Sequence, residues 1–577
     1  MDQTTKKATK IYKIRHSLAH LLAIVALEHD KGAKLTIGPA VENGFYYDID
    51  FSEGKAPTPE DLKHFQKAIK KLIGKKLPFE GREVSEDEAR KIFAGNPYKL
   101  EIIDGIVKMG EKITVYQTSE FVDLCEGGHV ENTSEIDVDG FKLDRIAGAY
   151  WRGDEKNKML TRVYGLAFET GKELDDYLTL IEEAKKRDHR KLGKELGLFT
   201  IIDEVGGGLP LFYPKGAILR RLIENYITEE QEKRGYLPIW IPHITKGELY
   251  KISGHLDKYD AMYPPMKLKG EDDYYLKPMN CPHFMMLYKT LPHSYRELPL
   301  RYTCTTTNYR YEKSGELSGL TRVRSLTQDD CHVFCTASQI EDEISLMLGM
   351  IAETYKKFGL EDFYVRVSLK DPKSYIGSDE AWETAENALR TVVKKTGWKY
   401  TEEAGEAAFY GPKLDFIFKD ALGREWQLST IQLDFNLPER FELEYADSEG
   451  EKSRPVVIHR AILGSTERFL GIFIEHTAGN FPFWLSPVQV WVLPITDAHK
   501  EYAEGIFKIL KSAGVRAELH DESETLGKKI RNGKMQKIPY LLVIGDKEME
   551  TKTVTLEGRD HGNMGAISLD ELFGALK

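Results

Sequence analysis

The chain has 577 residues, a formal net charge of −11 and five cysteines. That length predicts three or four domains, and the odd, irregularly spaced cysteines exclude a disulfide framework and argue for a reducing, cytoplasmic compartment. No apolar run reaches membrane-spanning length, the basic start MDQTTKKATKIYKIRH lacks a secretory apolar stretch, and the acidic total leaves nucleic-acid binding to local basic faces.

In chain order, residues 1–170 predict an α+β domain, with a helix through HSLAHLLAIVALEH and aromatic strands in GFYYDIDF and TVYQT. KELDDYLTLIEEAKKRDHRKLGKELG predicts a charged connecting helix over 171–197. Its KKRDHRKLGK run, like KAIKKLIGKK at 67–76, reads as a solvated helix face. From 198 to 486 the segments DFYVRVSL, LDFIF and EWQLSTIQLDF predict an antiparallel sheet with flanking helices. A helix over 216–235 and a strand YLPIWIP ending at Pro242 open this segment. In 487–577, VQVWVLPIT, the helix AHKEYAEGIFKILKSAG, VRAELH and YLLVIG predict a small α/β domain with βαβ units.

The densest chemistry lies between Asn308 and Phe334, in NYRYEKSGELSGLTRVRSLTQDDCHVF. Arg310 and Arg322 flank a turn at 314–319, so both guanidiniums can face one pocket. Arginine's planar fork suits phosphate oxygens, although a charged hairpin alone reads equally well as a solvated surface. A second signature, HRAILGSTERFLGIFIEH from His459, puts Arg468 on an amphipathic helix. Cys281, His332 and His459 are far apart and individually unremarkable, with His283 and Cys331 nearby as competitors. His16 and His20 share a helix face, and with Cys125 and His129 of DLCEGGHV they form a tetrahedral zinc pattern by spacing alone.

The segments around Arg310 and Arg468 resemble motifs 2 and 3 of class II aminoacyl-tRNA synthetases, and the 216–242 segment resembles motif 1. TQDDCHVF, AFYGPKLDF, WQLSTIQLDF and HRAILGSTERF together resemble the threonyl-tRNA synthetase family over nearly the whole chain. The resemblance implies a multidomain α+β protein with an N-terminal editing domain, an antiparallel-sheet catalytic core and a C-terminal anticodon-binding α/β domain. It implies a threonine–tRNA ligase of the bacterial type, without the family's usual small leading domain, and a homodimer through motif 1. The expected partners are tRNA(Thr), L-threonine and ATP with Mg²⁺.

By that resemblance Cys281, His332 and His459 are zinc ligands, and three protein ligands leave a catalytic open position. Arg310 would hold the α-phosphate and threonine carboxylate, Glu312 the adenine amino group and Arg322 the γ-phosphate. Arg468 would stack on adenine. Gln328, Asp330, Tyr410 and Gln432 would contact threonine, and Gln427, Thr430 and Lys413 would line the same pocket. Zinc that accepts both the α-amine and the side-chain hydroxyl refuses valine but admits serine, which differs by one methyl worth about 1–3 kcal/mol. Editing answers that problem: His16, His20, Lys99, Asp123, Cys125 and His129 match the family's site for hydrolysing seryl-tRNA without metal. Glu548 matches an anticodon-reading position.

Three departures stand out. Leu326 replaces an adenine-stacking aromatic, Leu428 stands where many relatives carry Cys, and Ser523 and Glu557 replace expected Asn and Arg readers of the anticodon, with Arg559 nearby as a substitute. Two other readings compete: a non-catalytic paralogue that regulates by binding tRNA or mRNA, and a ligase for serine or proline.

Overall fold

The computed structural model describes residues 9–270 and 272–576. The chain divides into two compact units, one ending at Glu182 and one beginning at Glu183. That boundary falls inside the helix Gly171–Arg187, within the 171–197 connecting segment.

In the first unit, the helix Lys10–His29 is capped by Thr9 and buried along most of its length. Its apolar residues Ile14, Leu18 and Leu22 share a core with Phe45, Tyr47 and Ile49 of the strand Gly44–Asp50. That strand pairs with Met159–Ala167, which pairs in turn with Phe141–Tyr150. A separate antiparallel sheet joins Glu80–Val84, Ile113–Thr118 and Phe121–Leu124. The helix Pro97–Met109 starts with Asn96, whose side chain accepts from the Tyr98 and Lys99 amides, and Pro97 needs no amide partner in the first turn. The cap fixes Lys99 at the buried start of that helix.

The second unit is built on an eight-stranded sheet. Its two centres of pairing are Leu300–Tyr309 with Ser325–Cys335, and Val456–Ala461 with Glu425–Asp434, all antiparallel. Parallel pairing is confined to the two edges, Leu237–Pro238 and Tyr400–Ala404. Register places His332 directly opposite His459, and His459 opposite Gln432, so side-chain alternation brings sequence-distant groups to one face. Helices Ile340–Phe358 and Thr466–Thr477 contribute Ile344, Met347, Phe469 and Phe473 to the core behind that sheet.

The segment expected as motif 1 forms the helix Pro214–Glu232 but only a two-residue strand, Leu237–Pro238, because Pro238 and Pro242 cannot donate to a ladder. Gly216 is required by packing: a Cβ there would lie 2.0 Å from the Leu198 carbonyl oxygen. Trp240 is 78% exposed beyond this strand.

The C-terminal portion carries the expected parallel strands Ala517–Leu519, Val490–Pro494 and Tyr540–Ile544. An antiparallel pair, Val554–Gly558 and Gly562–Ile567, extends the sheet beyond the predicted βαβ units. Among the described residues, no helix is long and apolar enough to cross a membrane. All five cysteines are free and buried.

Candidate active sites

A cavity of about 460 Å³ opens on the face of the eight-stranded sheet. Arg310, Arg322 and Arg468 line it together with Glu312, Gln328, Asp330, Tyr410, Gln427, Thr430 and Gln432. Arg310 leaves the end of its strand above the Tyr259 ring, 5.8 Å from the ring centre, and donates to the Pro278 carbonyl at 3.4 Å. Among the described residues no carboxylate pairs with Arg310 or Arg468. Arg468 is anchored by the carbonyls of Gln427 at 3.1 Å and Thr321 at 3.2 Å. Burial and then the neighbouring Arg322 charge lower its pKa. Only Arg322 is neutralised, by Glu312 at 2.8 Å and Glu316 at 2.7 Å. Uncompensated guanidiniums in a partly dry cleft are built to receive an anion.

The other end of the cavity is polar. Asp330 accepts from Asn280 at 2.9 Å, and burial pushes its carboxyl up to about 6. Asn280 is oriented by Lys277, which donates to its Oδ1 at 2.9 Å and to Thr306 at 2.8 Å. Lys277 is fully buried, which pulls its ammonium down to about 8. Gln427 and Thr430 donate to Asp415 at 2.7 and 3.0 Å. Lys413 does not line the cavity: its ammonium is held by the buried Asp415 carboxylate. Lys277, Asn280 and Asp415 were missed in the sequence, where only adjacency to Cys281 and Lys413 marked two of them.

Cys281 and His459 line the same cavity, with His332 buried beneath it. The ligand atoms of Cys281, His332 and His459 all lie within 4.8 Å of one another. Both ring nitrogens of His332 and Nδ1 of His459 are buried without a hydrogen-bond partner. Nε2 of His459 is paired with Asp434 at 2.8 Å, which leaves Nδ1 facing the cluster. Buried imidazole nitrogens normally have partners, so one orphaned nitrogen from each of His332 and His459 beside the Cys281 thiol fits a metal ion, with Asp434 fixing the His459 ring as an outer-shell carboxylate does.

Beside the cavity, His255 is fully buried between Ser253 at 2.8 Å and the Met279 sulfur at 3.1 Å. Burial, then Arg310, pulls it down to about 4. A histidine depressed in the fold is protonated first in the unfolded chain, so its stability contribution is full above about pH 6.5 and lost as pH falls towards 4. The expected loss across that window is about 3 kcal/mol. His255→Gln should flatten the fall in melting temperature between those pH values.

The first unit holds a second constellation. His16, His20, Lys99, Asp123 and Cys125 line a cavity of about 330 Å³. Lys99 and Asp123, both nearly inaccessible, pair at 2.5 Å, and the Tyr47 hydroxyl donates to Asp123 at 2.5 Å. Tyr47 has no sequence signal beyond an aromatic strand. His16, His20, Cys125 and His129 also lie within ligand spacing, but their hydrogen bonding differs from that of the first cluster. The Cys125 sulfur faces His16 Nε2 at 3.5 Å and His129 Nε2 at 3.2 Å, and His129 Nδ1 faces Ser17 at 3.2 Å. Burial pushes the Cys125 thiol up to about 12 and lowers His20 and His129. Cys125 thus links His16 and His129 through its sulfur, while His20 stands 3.8 Å from Asp123 with its Nδ1 unpartnered.

On the C-terminal sheet, Ser523 lines a cleft of about 260 Å³ with Asp521, Glu522 and Lys529. Glu548 does not line that cleft; its carboxylate accepts from the Gly545 amide at 2.9 Å and Thr555 at 2.7 Å. Glu557 pairs with Lys534 at 2.6 Å. Arg559 pairs with Asp560 and donates to the Phe481 and Lys537 carbonyls.

Comparisons with known proteins follow the same division. Residues 266–477 match the class II tRNA synthetase core domain (G, H, P, S and T). Residues 489–577 match the anticodon binding domain, and 113–164 the second additional domain of threonyl and alanyl tRNA synthetases. The chain is 51% identical to threonine–tRNA ligase of Rubrobacter xylanophilus, over 96% of this chain and 86% of that protein. It is 50% identical to threonine–tRNA ligase of Gloeobacter violaceus, over 98% and 92% respectively. The structure of the RNA binding domain of threonyl-tRNA synthetase from Cryptosporidium parvum superposes with a TM-score of 0.65 at 40% identity, covering 67% of this chain and 97% of that one.

Proposed function

Since this chain belongs to the threonine–tRNA ligases, class II synthetases with a core, an anticodon-binding domain and a second additional domain, we propose that it activates L-threonine as threonyl-adenylate, transfers it to the 3′ end of tRNA(Thr) and hydrolyses Ser-tRNA(Thr). The observation that carries the first step is the convergence of three arginines and the Cys281–His332–His459 cluster on one cavity.

The threonine carboxylate attacks the α-phosphorus of ATP, and pyrophosphate leaves with its Mg²⁺. The attacking carboxylate needs no general base. Arg310 stabilises the charge that develops on the α-phosphate, Arg322 releases Glu316 to meet the γ-phosphate, and Arg468 covers the adenine. Asp330, held by Asn280, and Gln432 orient the amino acid. Cys281, His332 and His459 would hold Zn²⁺, which when bound supplies a Lewis-acidic position for the α-amine and side-chain hydroxyl. The exposed Trp240 and Leu237 support a homodimer through this edge. A cytoplasmic location accords with five buried free thiols. We assign the C-terminal domain, 487–577, to the anticodon, and residues 1–170, 171–197 and 198–486 to editing, linker and catalysis.

For editing, His16 and His20 would order water against the seryl ester, while Lys99, fixed by Asp123 and Tyr47, stabilises the tetrahedral oxyanion. Lys99→Met is expected to slow Ser-tRNA(Thr) hydrolysis by about two orders of magnitude and to leave threonine activation unchanged. Deacylation of preformed Ser-tRNA(Thr) measures the first, ATP–pyrophosphate exchange the second; equal losses in both would refute the assignment. The overall reading is tested by exchange with threonine, serine and valine. Strong, weak and negligible turnover in that order supports it, and silence with all three in a folded, zinc-loaded chain points to the regulatory paralogue.

A further inference from the structure

Between the connecting helix and the Arg-bearing loop lies a buried histidine that the chemistry above does not use. His189 begins the helix His189–Glu195, immediately after its cap Asp188. Its Nδ1 meets Glu475 of the Arg468 helix at 2.6 Å, and its backbone amide donates to the same carboxylate oxygen at 3.0 Å. On the opposite edge of the ring, the Leu320 amide donates to Nε2 at 2.9 Å. An amide can only donate, so Nε2 must be the bare acceptor and the proton must reside on Nδ1, shared with Glu475. Arg424 holds the other Glu475 oxygen, which keeps that carboxylate charged and oriented.

Asp188, His189 and Glu475 have the spacing of a metal cluster, but both ring nitrogens are already committed. What the ring does is grip the loop. Gly319 has φ +48°, and a Cβ there would stand 2.1 Å from Nε2, so only glycine allows the approach. Leu320, held by His189, is followed by Thr321, whose carbonyl anchors Arg468, and by Arg322. The descending limb of the loop is thus pinned on its outer side by His189 and on its cavity side by Arg468.

We infer that His189, as its Nδ1–H tautomer, is a positioning residue for ATP: it clamps the loop at Leu320 and so sets Arg322 and Arg468 in the cavity. The inference rests on the ligase reading. It goes beyond that reading by assigning a role in nucleotide binding to the junction between the connecting helix and the core.

The test is ATP–pyrophosphate exchange with the full chain, with KM measured separately for ATP and threonine. In His189→Asn the amide still reaches Glu475 but not Leu320. KM for ATP should rise about fivefold to tenfold, the loss of one buried hydrogen bond, with KM for threonine and the melting temperature nearly unchanged. His189→Gln, whose Oε1 can stand where Nε2 was, should recover most of the affinity. Gly319→Ala, which pushes the loop off the ring, should reproduce the effect, and adding it to His189→Asn should cost little more, because both break one contact. Should His189→Asn misfold, Gly319→Ala carries the test alone. Equal rises in both KM values, or an unchanged KM for ATP in folded variants, would overturn the clamp. A wild-type chain inactive with every amino acid would overturn the ligase reading and the clamp with it; an active wild type with a flat ATP KM would overturn only the clamp.

Discussion

Replacing Arg310 by alanine is expected to lower kcat/KM for threonine-dependent ATP–pyrophosphate exchange by about two to three orders of magnitude, the scale of one preorganised charge-stabilising donor. The expectation follows from what Arg310 lacks. Its guanidinium rests over Tyr259 and touches only the Pro278 carbonyl, so no acidic neighbour in the described structure neutralises it. It faces the cavity with its fork open, and little of the fold depends on it. Arg310→Lys keeps the charge and loses the two-pronged geometry, so it should recover only part of the rate. The loss should fall on kcat more than on KM, since the interaction strengthens as charge develops. A drop smaller than about tenfold in a folded variant would place the charge-stabilising role elsewhere.

Stripping bound metal, or replacing Cys281 by alanine, is expected to remove threonine activation by two or more orders of magnitude, as loss of several kcal/mol of Lewis-acid interaction requires. Hydrolysis of Ser-tRNA(Thr) by the same sample should persist. The two clusters look alike on paper, each rich in His and Cys at ligand spacing. Their hydrogen bonds separate them. Around Cys281 no hydrogen bond among the described residues joins the thiol to His332 or His459, whereas the Cys125 sulfur is bonded to His16 and His129, although Nδ1 of His20 is orphaned there too. Metal analysis of the Cys281→Ala chain, together with both activities, checks the assignment. Loss of Ser-tRNA(Thr) hydrolysis on chelation would mean that the first unit also needs a metal.

Much of this site was legible in the sequence, because motifs carry their own spacing. Arg310, Arg322 and Arg468 line one cavity, and their grouping is readable because hairpin and helix periodicities both survive in the linear pattern. Cys281, His332 and His459 could be grouped only by family resemblance: strand register, which sets His332 against His459, has no local signal. KKRDHRKLGK reads as a solvated face, and Lys185, Lys186, Arg190, Lys191 and Lys194 are exposed, whereas His189, Leu192 and Gly193 are buried. Periodicity said nothing of Asp188 breaking the helix and turning His189 into the core. Lys277 was invisible for a similar reason: a lysine is expected outside, and only Asn280 and Thr306 make its burial tolerable. Lys413 and Arg559 illustrate local capture: Asp415, on the same face two residues along the strand, holds Lys413, and neighbouring Asp560 with the Phe481 and Lys537 carbonyls holds Arg559.

The cysteines give this protein two internal reporters. Cys331 and Cys335 are fully inaccessible on one strand of the eight-stranded sheet, so they react only when that sheet opens, and their alkylation rates report a local unfolding equilibrium. Cys125 and Cys281 line the two cavities, so their rates report access to those sites instead. Mass spectrometry of a single labelling series would therefore separate opening of the core from access to the two sites, with no label introduced and no residue changed.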